Sequence, residues 1–277
     1  MVALAAIVLD GRAATAQFGV IPDAVMVDAL LRSAGAAWQQ SRSTHFVLYR
    51  ERDVRMPLSL PALLDSLEAA WAYDTALVGA HGIGQTPVTV LVTQSPKRFP
   101  QILAPSSRGL MRRDSLGGEV IILVHNDSVR AFTRHEVMHV VEWRLWGPPG
   151  APWVDEGIAT FADGRCQSTT VLGVARDLLR AEPGLTAAGL AERYTKGAGP
   201  FLGKRLRAYV LAASFVDFIY DRGGAEALRV LRRDGIRPQA DFLSMDSLTV
   251  PWRAYVDRAA AGKPGLASDA IDAHGCG

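Results

Sequence analysis

Residues 135–139 read His-Glu-Val-Met-His, and this segment constrains the local fold more than any other part of the chain. Two residues four apart lie on one face of an α-helix, one turn above the other. On such a helix, His135 and His139 can both reach one ion at about 2.0–2.1 Å, the bond length of zinc to imidazole. Valines within 137–141 can anchor the helix, and no proline interrupts it. We therefore predict a helix that carries a two-histidine metal site.

The same segment supplies a general base and requires a third ligand. Glu136 projects beside the histidines without occupying a ligand position, so it can accept a proton from a water that the metal activates. A catalytic zinc needs three protein ligands and an open position. Glu156 lies in the first turn of the next predicted helix, where a carboxylate also interacts favourably with the helix dipole. Asp155 is its neighbour, and spacing alone leaves both residues open as the third ligand.

Two segments together resemble a known family. HEVMH at 135–139 and WVDEGIATF at 153–161 are similar to the two zinc helices of the gluzincin metallopeptidases, in particular the peptidase MA-like proteins with short HExxH domains. Weaker similarities extend across residues 40–260, at 44–46, 87–100 and 209–223.

The resemblance implies a function, a ligand set and a fold. It implies hydrolysis of peptide bonds in a peptide or protein substrate, with one Zn²⁺ per chain on His135, His139 and Glu156. Glu136 is then the general base, and the fold is thermolysin-like. Substrates of this family pair with the edge of a strand that borders the cleft, and 118–124 is the segment expected here, with an ordinary buried strand as the alternative for all or part of it. We find no exopeptidase signature, so an endopeptidase is the default expectation.

Two positions depart from the family pattern. Thr160 stands where thermolysin has an aspartate that orients a zinc histidine, and Thr160, Asp163 or Glu142 can substitute for it. Tyr209 is the candidate oxyanion donor, because related enzymes use a tyrosine downstream of the glutamate ligand, although a role in an amphipathic core fits it equally. These departures leave an alternative function, a catalytically inactive metal-binding module that holds a peptide in the cleft.

The order of predicted elements indicates the fold class. Residue types and periodicity predict strands at 44–49, 87–93 and 118–125. They predict helices at 21–36, 61–78, 128–145, 153–162, 206–220, 224–233 and 247–261. Strands and helices followed by helices alone are typical of an α+β protein with a small twisted sheet in its N-terminal lobe.

These elements suggest a single metallopeptidase domain over residues 17–262. Its parts are an α/β lobe at 17–127, an active-site helix at 128–146 and a helical C-terminal lobe at 147–262. The segment 263–277 is predicted to be a loose tail.

Charge and apolar content exclude two kinds of partner. The net charge is +2, and the basic pairs 112–113 and 232–233 are isolated. We interpret both pairs as solvated surface, so no nucleic acid is expected. No segment approaches the ~20 apolar residues of a membrane span. The sequence does not constrain the oligomeric state.

The N-terminus suggests an extracytoplasmic protein. An apolar run at 2–9 precedes Ala-Thr-Ala at 14–16, which resembles a signal-peptidase site. We interpret 1–16 as the remnant of a secretory signal, with a small buried helix as the alternative. The protein is then periplasmic or secreted, and otherwise cytoplasmic. Cys166 and Cys276 fit no CxxC pattern, and a disulfide between them is one option.

Overall fold

The computed structural model describes most of the chain between residues 37 and 266. The described residues are 27, 31–32, 37–52, 56–84, 86–100, 102–103, 108–113, 118–129, 133–166, 169–197, 202–234 and 245–266. The segment 1–16 that we interpret as a signal remnant, most of the predicted helix at 21–36 and Cys276 lie outside these residues. The disulfide considered as one option for the two cysteines therefore falls outside the described residues.

A five-stranded sheet forms the N-terminal half of the described chain. Its strands are β1 (Trp38–Arg42), β2 (Phe46–Glu51), β3 (Val88–Thr93), β4 (Gly109–Arg113) and β5 (Glu119–Val124). Their order is β1-β2-β3-β5-β4, with β2, β3 and β5 parallel and the two outer strands antiparallel to their neighbours. The three predicted strands correspond to the three parallel ones, which are rich in β-branched and aliphatic residues.

The prediction that residues 118–124 form the edge of the sheet is wrong. All six residues of β5 are buried, and this strand lies between β3 and β4. A continuous apolar run is typical of a strand that is covered on both faces. On this side of the described sheet the outer strand is β4, and its sequence GLMRR contains a glycine and two arginines.

Most of the helices follow the sheet in the chain, and one helix lies between β2 and β3. They are α1 (Leu60–Leu77), α2 (Thr133–Trp146), α3 (Pro152–Asp163), α4 (Val171–Ala181), α5 (Gly189–Gly197), α6 (Leu202–Asp234) and α7 (Met245–Ala259). A short 3₁₀ turn at Pro96–Arg98 and a two-stranded ribbon of β6 (Arg165–Cys166) and β7 (Thr169–Thr170) complete the described elements. The predicted α+β class is confirmed.

Two predicted helix limits differ from the structure. Within the described residues the active-site helix is Thr133–Trp146, and positions 128–129 lie outside it, because Asn126 closes a separate turn by accepting hydrogen bonds from the backbones of Ser128 and Val129. Asparagine side chains stabilise such turns and helix starts by the same bond. α6 spans the two helices that were predicted at 206–220 and 224–233. Gly224 within it has a non-helical backbone, with φ 60° and ψ −153°, so the helix is interrupted where the sequence predicted the second helix to begin.

The core joins the sheet to the helices that carry the predicted ligands. α1 and α2 cover one face of the sheet, and a continuous apolar cluster runs from Ile121 through Val137 to Val154 and Val216. α3 packs closely along α6, since a Cβ on Gly157 would lie only 3.1 Å from Val216 Cγ2. The start of the predicted tail also lies against the domain, where Arg176 donates to the backbone oxygen of Lys263. No described helix is long and apolar enough to cross a membrane.

Candidate metal site

A tight connection brings α3 back against α2. Gly147 ends α2 with φ 76°, and its N–H donates to Trp143 O at 2.9 Å, an arrangement that glycine adopts without steric cost. Pro152 then opens α3, where its missing N–H is harmless. The first turn of α3 therefore faces the middle of α2, and Glu156 approaches both histidines.

Three predicted ligands converge at this point. Glu156 Oε2 lies 3.3 Å from His135 Nε2 and 3.7 Å from His139 Nε2. A tetrahedral ion with bonds of about 2.0–2.1 Å separates its ligand atoms by about 3.3 Å. The rings of the two histidines are nearly perpendicular, at 88°. The spacing of these donor atoms therefore fits one metal ion, and the chemistry of two imidazoles and one carboxylate suits zinc.

The charge around Glu156 favours its ionised form. Burial alone would raise the pKa of Glu156, but hydrogen bonds and charges from His135 and His139 lower it well below its usual range. A carboxylate that remains charged while buried is a suitable metal ligand.

Glu136 lies next to the ligands but outside the ligand set. Its carboxyl group is buried and accepts a hydrogen bond from the backbone N–H of Met111 in β4. Burial raises the pKa of Glu136, although the neighbouring histidines oppose this shift. Gly109 also touches this side chain, because a Cβ there would lie 2.9 Å from Glu136 Cγ. The base is thus held between α2 and the outer strand.

The outer edge of β4, with which no described strand pairs, passes beside Glu136. Val124 N–H donates to Arg108 O at 2.9 Å, so Arg108 is a residue whose backbone bonds to β5. In an antiparallel pair only every second residue bonds to the neighbouring strand in this way. The backbone groups of Gly109, Met111 and Arg113 therefore point away from β5. The edge expected of 118–124 belongs to β4, a strand that the sequence analysis missed because it lacks an alternating apolar pattern.

Asp155 lies behind the site rather than in it. Its Oδ2 is 3.4 Å from His139 Nδ1, the ring nitrogen opposite the one that faces Glu156. Burial would raise the pKa of Asp155, but His139, Glu142 and the charge of Arg232 lower it to about 2. Asp155 therefore suits the role of orienting the His139 ring, for which the sequence analysis considered Thr160, Asp163 and Glu142.

A second group of potential ligands is less suitable for a metal. Donor atoms of His139, Glu142 and Asp155 also lie within 4.8 Å of one another. However, Arg232 Nε is 3.0 Å from Glu142 and 2.8 Å from Asp155, so a guanidinium already supplies the positive charge. Burial and the nearby Asp155 raise the pKa of Glu142 well above its usual value. We therefore assign the candidate metal to the group that contains Glu156.

Tyr209 lies beside the site. Its ring is stacked at 21° to the ring of His135, with centroids 6.5 Å apart, and the ring of Tyr194 stacks on Tyr209 at 5.8 Å. The predicted oxyanion donor is therefore near the ligands. Its role as a donor remains a prediction.

Asp74 of α1 is a buried carboxyl group near the site that the sequence analysis missed. It is 0% exposed, and neither carboxyl oxygen has a hydrogen-bond partner among the described residues. Burial raises the pKa of Asp74 from 3.8 to about 8; the charges of Arg134 and His139 oppose this shift and that of Asp163 adds to it. Within an apparently amphipathic helix, no local pattern distinguishes this aspartate from a solvated one.

We expect Asp74→Asn to remove a pH-dependent loss of stability. Between the unfolded pKa near 3.8 and the folded pKa near 8, the folded state binds the extra proton, so its stability falls as pH rises. At about 1.4 kcal/mol per pH unit, the wild type should lose about 4 kcal/mol from pH 5 to 8 through this group. Urea unfolding at both pH values measures it, with exposed Asp65→Asn on the same helix as the control. Parallel pH profiles for wild type and Asp74→Asn would contradict the expectation.

Comparison with known proteins adds no relative: no family model matches the chain, and no curated protein matches it.

Proposed function

We propose that this protein is a zinc-dependent metallopeptidase of the gluzincin type with a thermolysin-like fold, acting as an endopeptidase. The observation that supports this most is the convergence of His135, His139 and Glu156 on one point, with Glu136 beside them and outside the ligand set. The order of elements also agrees, since a sheet with an antiparallel outer strand precedes two consecutive ligand helices.

Each residue at the site has a separate role in the proposed reaction. His135, His139 and Glu156 would hold the zinc, which when bound would polarise the scissile carbonyl as a Lewis acid and lower the pKa of a water molecule towards about 7. Glu136 accepts the proton from that water and passes it to the leaving amine as the carbon–nitrogen bond breaks. Its buried position suits proton acceptance, and Met111 N–H fixes its orientation. Tyr209 donates to the oxygen on which negative charge develops.

The outer strand provides a surface for the substrate. Carbonyl groups of Gly109, Met111 and Arg113 point to the outer edge of β4 beside Glu136. A peptide that adds to this edge gains backbone hydrogen bonds with little dependence on its sequence. Its scissile bond then passes close to the base, which is consistent with cleavage inside a polypeptide.

Metal content and hydrolysis together test the proposal. Protein purified without a histidine tag should contain about one zinc per chain by elemental mass spectrometry, and His139→Ala should contain none. The wild type should cleave unfolded casein and a quenched peptide library, lose this activity with a chelator and regain it with Zn²⁺. Zinc without hydrolysis would favour the inactive metal-binding module, and no zinc after its addition would overturn both functions.

Gly109→Ala should reduce hydrolysis without loss of zinc. The new methyl group would overlap the side chain of Glu136 and displace its carboxyl group. A misplacement of about 1 Å can cost about 10²-fold in rate, and we expect a fall in kcat of this size. Gly184→Ala is the control, because its Cβ meets no atom within 4 Å. Equal kcat for Gly109→Ala and the wild type would contradict this role of the outer strand.

A further inference from the structure

Arg232 is a buried cation near the end of α6, and it reaches the elements that hold the site. Only 2% of the residue is exposed. Its Nε donates to Asp155 Oδ1 at 2.8 Å and to Glu142 Oε2 at 3.0 Å, and its Nη1 donates to Gly147 O at 2.8 Å. The interpretation of the 232–233 pair as solvated surface is therefore wrong for Arg232, because the two side chains of a helical pair point in different directions.

The three acceptors lie on both ligand helices and their connection. Glu142 is in α2, Gly147 is at its end, and Asp155 is in the first turn of α3. The backbone of α6 also presses on this connection, since a Cβ on Gly150 would lie 2.9 Å from Arg232 O. One guanidinium group therefore fixes how α3 is placed against α2.

Asp155 links this guanidinium to a metal ligand. One carboxylate oxygen accepts from Arg232, and the other lies 3.4 Å from His139 Nδ1. Histidines that bind metals typically donate their second N–H to a carboxylate, which fixes the tautomer and the ring orientation. The orientation of Asp155 in turn depends on Arg232.

Stability alone is a weak reason for this arrangement. Taking a guanidinium and its partners out of water costs several kcal/mol, and apolar side chains of similar size often stabilise a core as well or better. An apolar residue at position 232, however, could not fix the direction of the Asp155 carboxylate.

We propose that Arg232 is a positioning residue for the metal, which acts through Asp155 on the ring of His139. This inference rests on the proposed function, because it requires the metal site. It assigns a part of the metal site to a residue 93 positions after His139 in the chain.

Metal affinity and ligand-field spectra test the proposal. Arg232→Met should weaken Zn²⁺ binding by about 10–100-fold in competition with a chelator, the usual effect of losing an outer partner of a ligand. The Co²⁺-substituted protein should also change its visible spectrum, which reports the geometry of the ligands. If Arg232→Met does not fold, Arg232→Lys serves instead, since it keeps the charge but loses the planar arrangement of donors.

Arg253→Met is the matched control for general loss of stability. Arg253 donates to the backbone oxygens of Leu179, Glu182 and Leu185, away from the ligand helices. Its replacement should lower the melting temperature without a change in zinc affinity or in the cobalt spectrum. An equal loss of zinc affinity in both variants would reduce Arg232 to a structural role and overturn the proposal.

A double-mutant cycle tests the path through Asp155. If Arg232 acts on the metal through that carboxylate, Arg232→Met should weaken zinc binding much less in an Asp155→Ala background than in the wild type. Additive effects, or wild-type affinity in Arg232→Met, would overturn the inference. Zinc binding by the wild type without any hydrolysis would contradict the proposed function alone, and a wild type that binds no zinc would overturn both.

Discussion

Glu136→Gln should lower kcat for peptide hydrolysis by about 10³-fold while the zinc content stays at that of the wild type. A carboxamide has the shape of the carboxylate and can accept the hydrogen bond from Met111 N–H, so the side chain should keep its place. It has no basic oxygen that can take the proton of the attacking water. The loss should therefore appear in kcat rather than in substrate binding.

The control for this variant is Glu192→Gln, an exposed glutamate in α5. Its zinc content and kcat should both match those of the wild type. Steady-state hydrolysis of a quenched peptide measures kcat, and elemental mass spectrometry of the same samples measures zinc. Near-normal turnover in Glu136→Gln at full zinc occupancy would refute the assignment of the general base.

The local part of the site follows from the sequence, because helical geometry decides it. His135 and His139 are four residues apart, so any helix through them places both rings on one side. Their Nε2 atoms do face a common carboxylate oxygen. The same rule does not separate Asp155 from Glu156, because the two are adjacent near the start of α3 and the choice depends on how that helix meets α2.

The order of strands shows a second limit of the sequence. The apolar run of β5 predicts a strand, but its neighbours depend on contacts between segments far apart in the chain. β4 forms the outer strand although its own residues predict it poorly, since an outer strand needs fewer apolar side chains. The surface that we propose for the substrate was therefore assigned to the wrong strand.

Buried charges are the third kind of feature that the sequence did not reveal. Arg232 and Asp74 lie in helices whose other charged residues, where described, are partly or fully exposed, and nothing local marks either one as buried. Arg232 is 90 residues away from Glu142 and 77 away from Asp155. Such pairs become visible only when the helices are placed in space.

Glu156→Ala should weaken zinc binding far more than Asp155→Ala. Binding free energies of about 10–16 kcal/mol are shared among four ligands in structural zinc sites, so loss of one ligand should weaken binding by about 10³-fold. Asp155 touches the far nitrogen of His139, and loss of such a partner costs about 10–100-fold. Chelator competition with both variants gives the two dissociation constants.

The ranking of these two variants decides which carboxylate is the ligand. Glu156→Gln adds a second comparison, because it preserves the shape of the side chain and removes its charge. It should bind zinc more weakly than Asp155→Asn, in which an amide oxygen can still lie against His139 Nδ1. The reverse ranking in both pairs would move the third ligand to Asp155. The metal would then lie on the Nδ1 side of His139, beside Arg232, where the positive charge of the guanidinium opposes it.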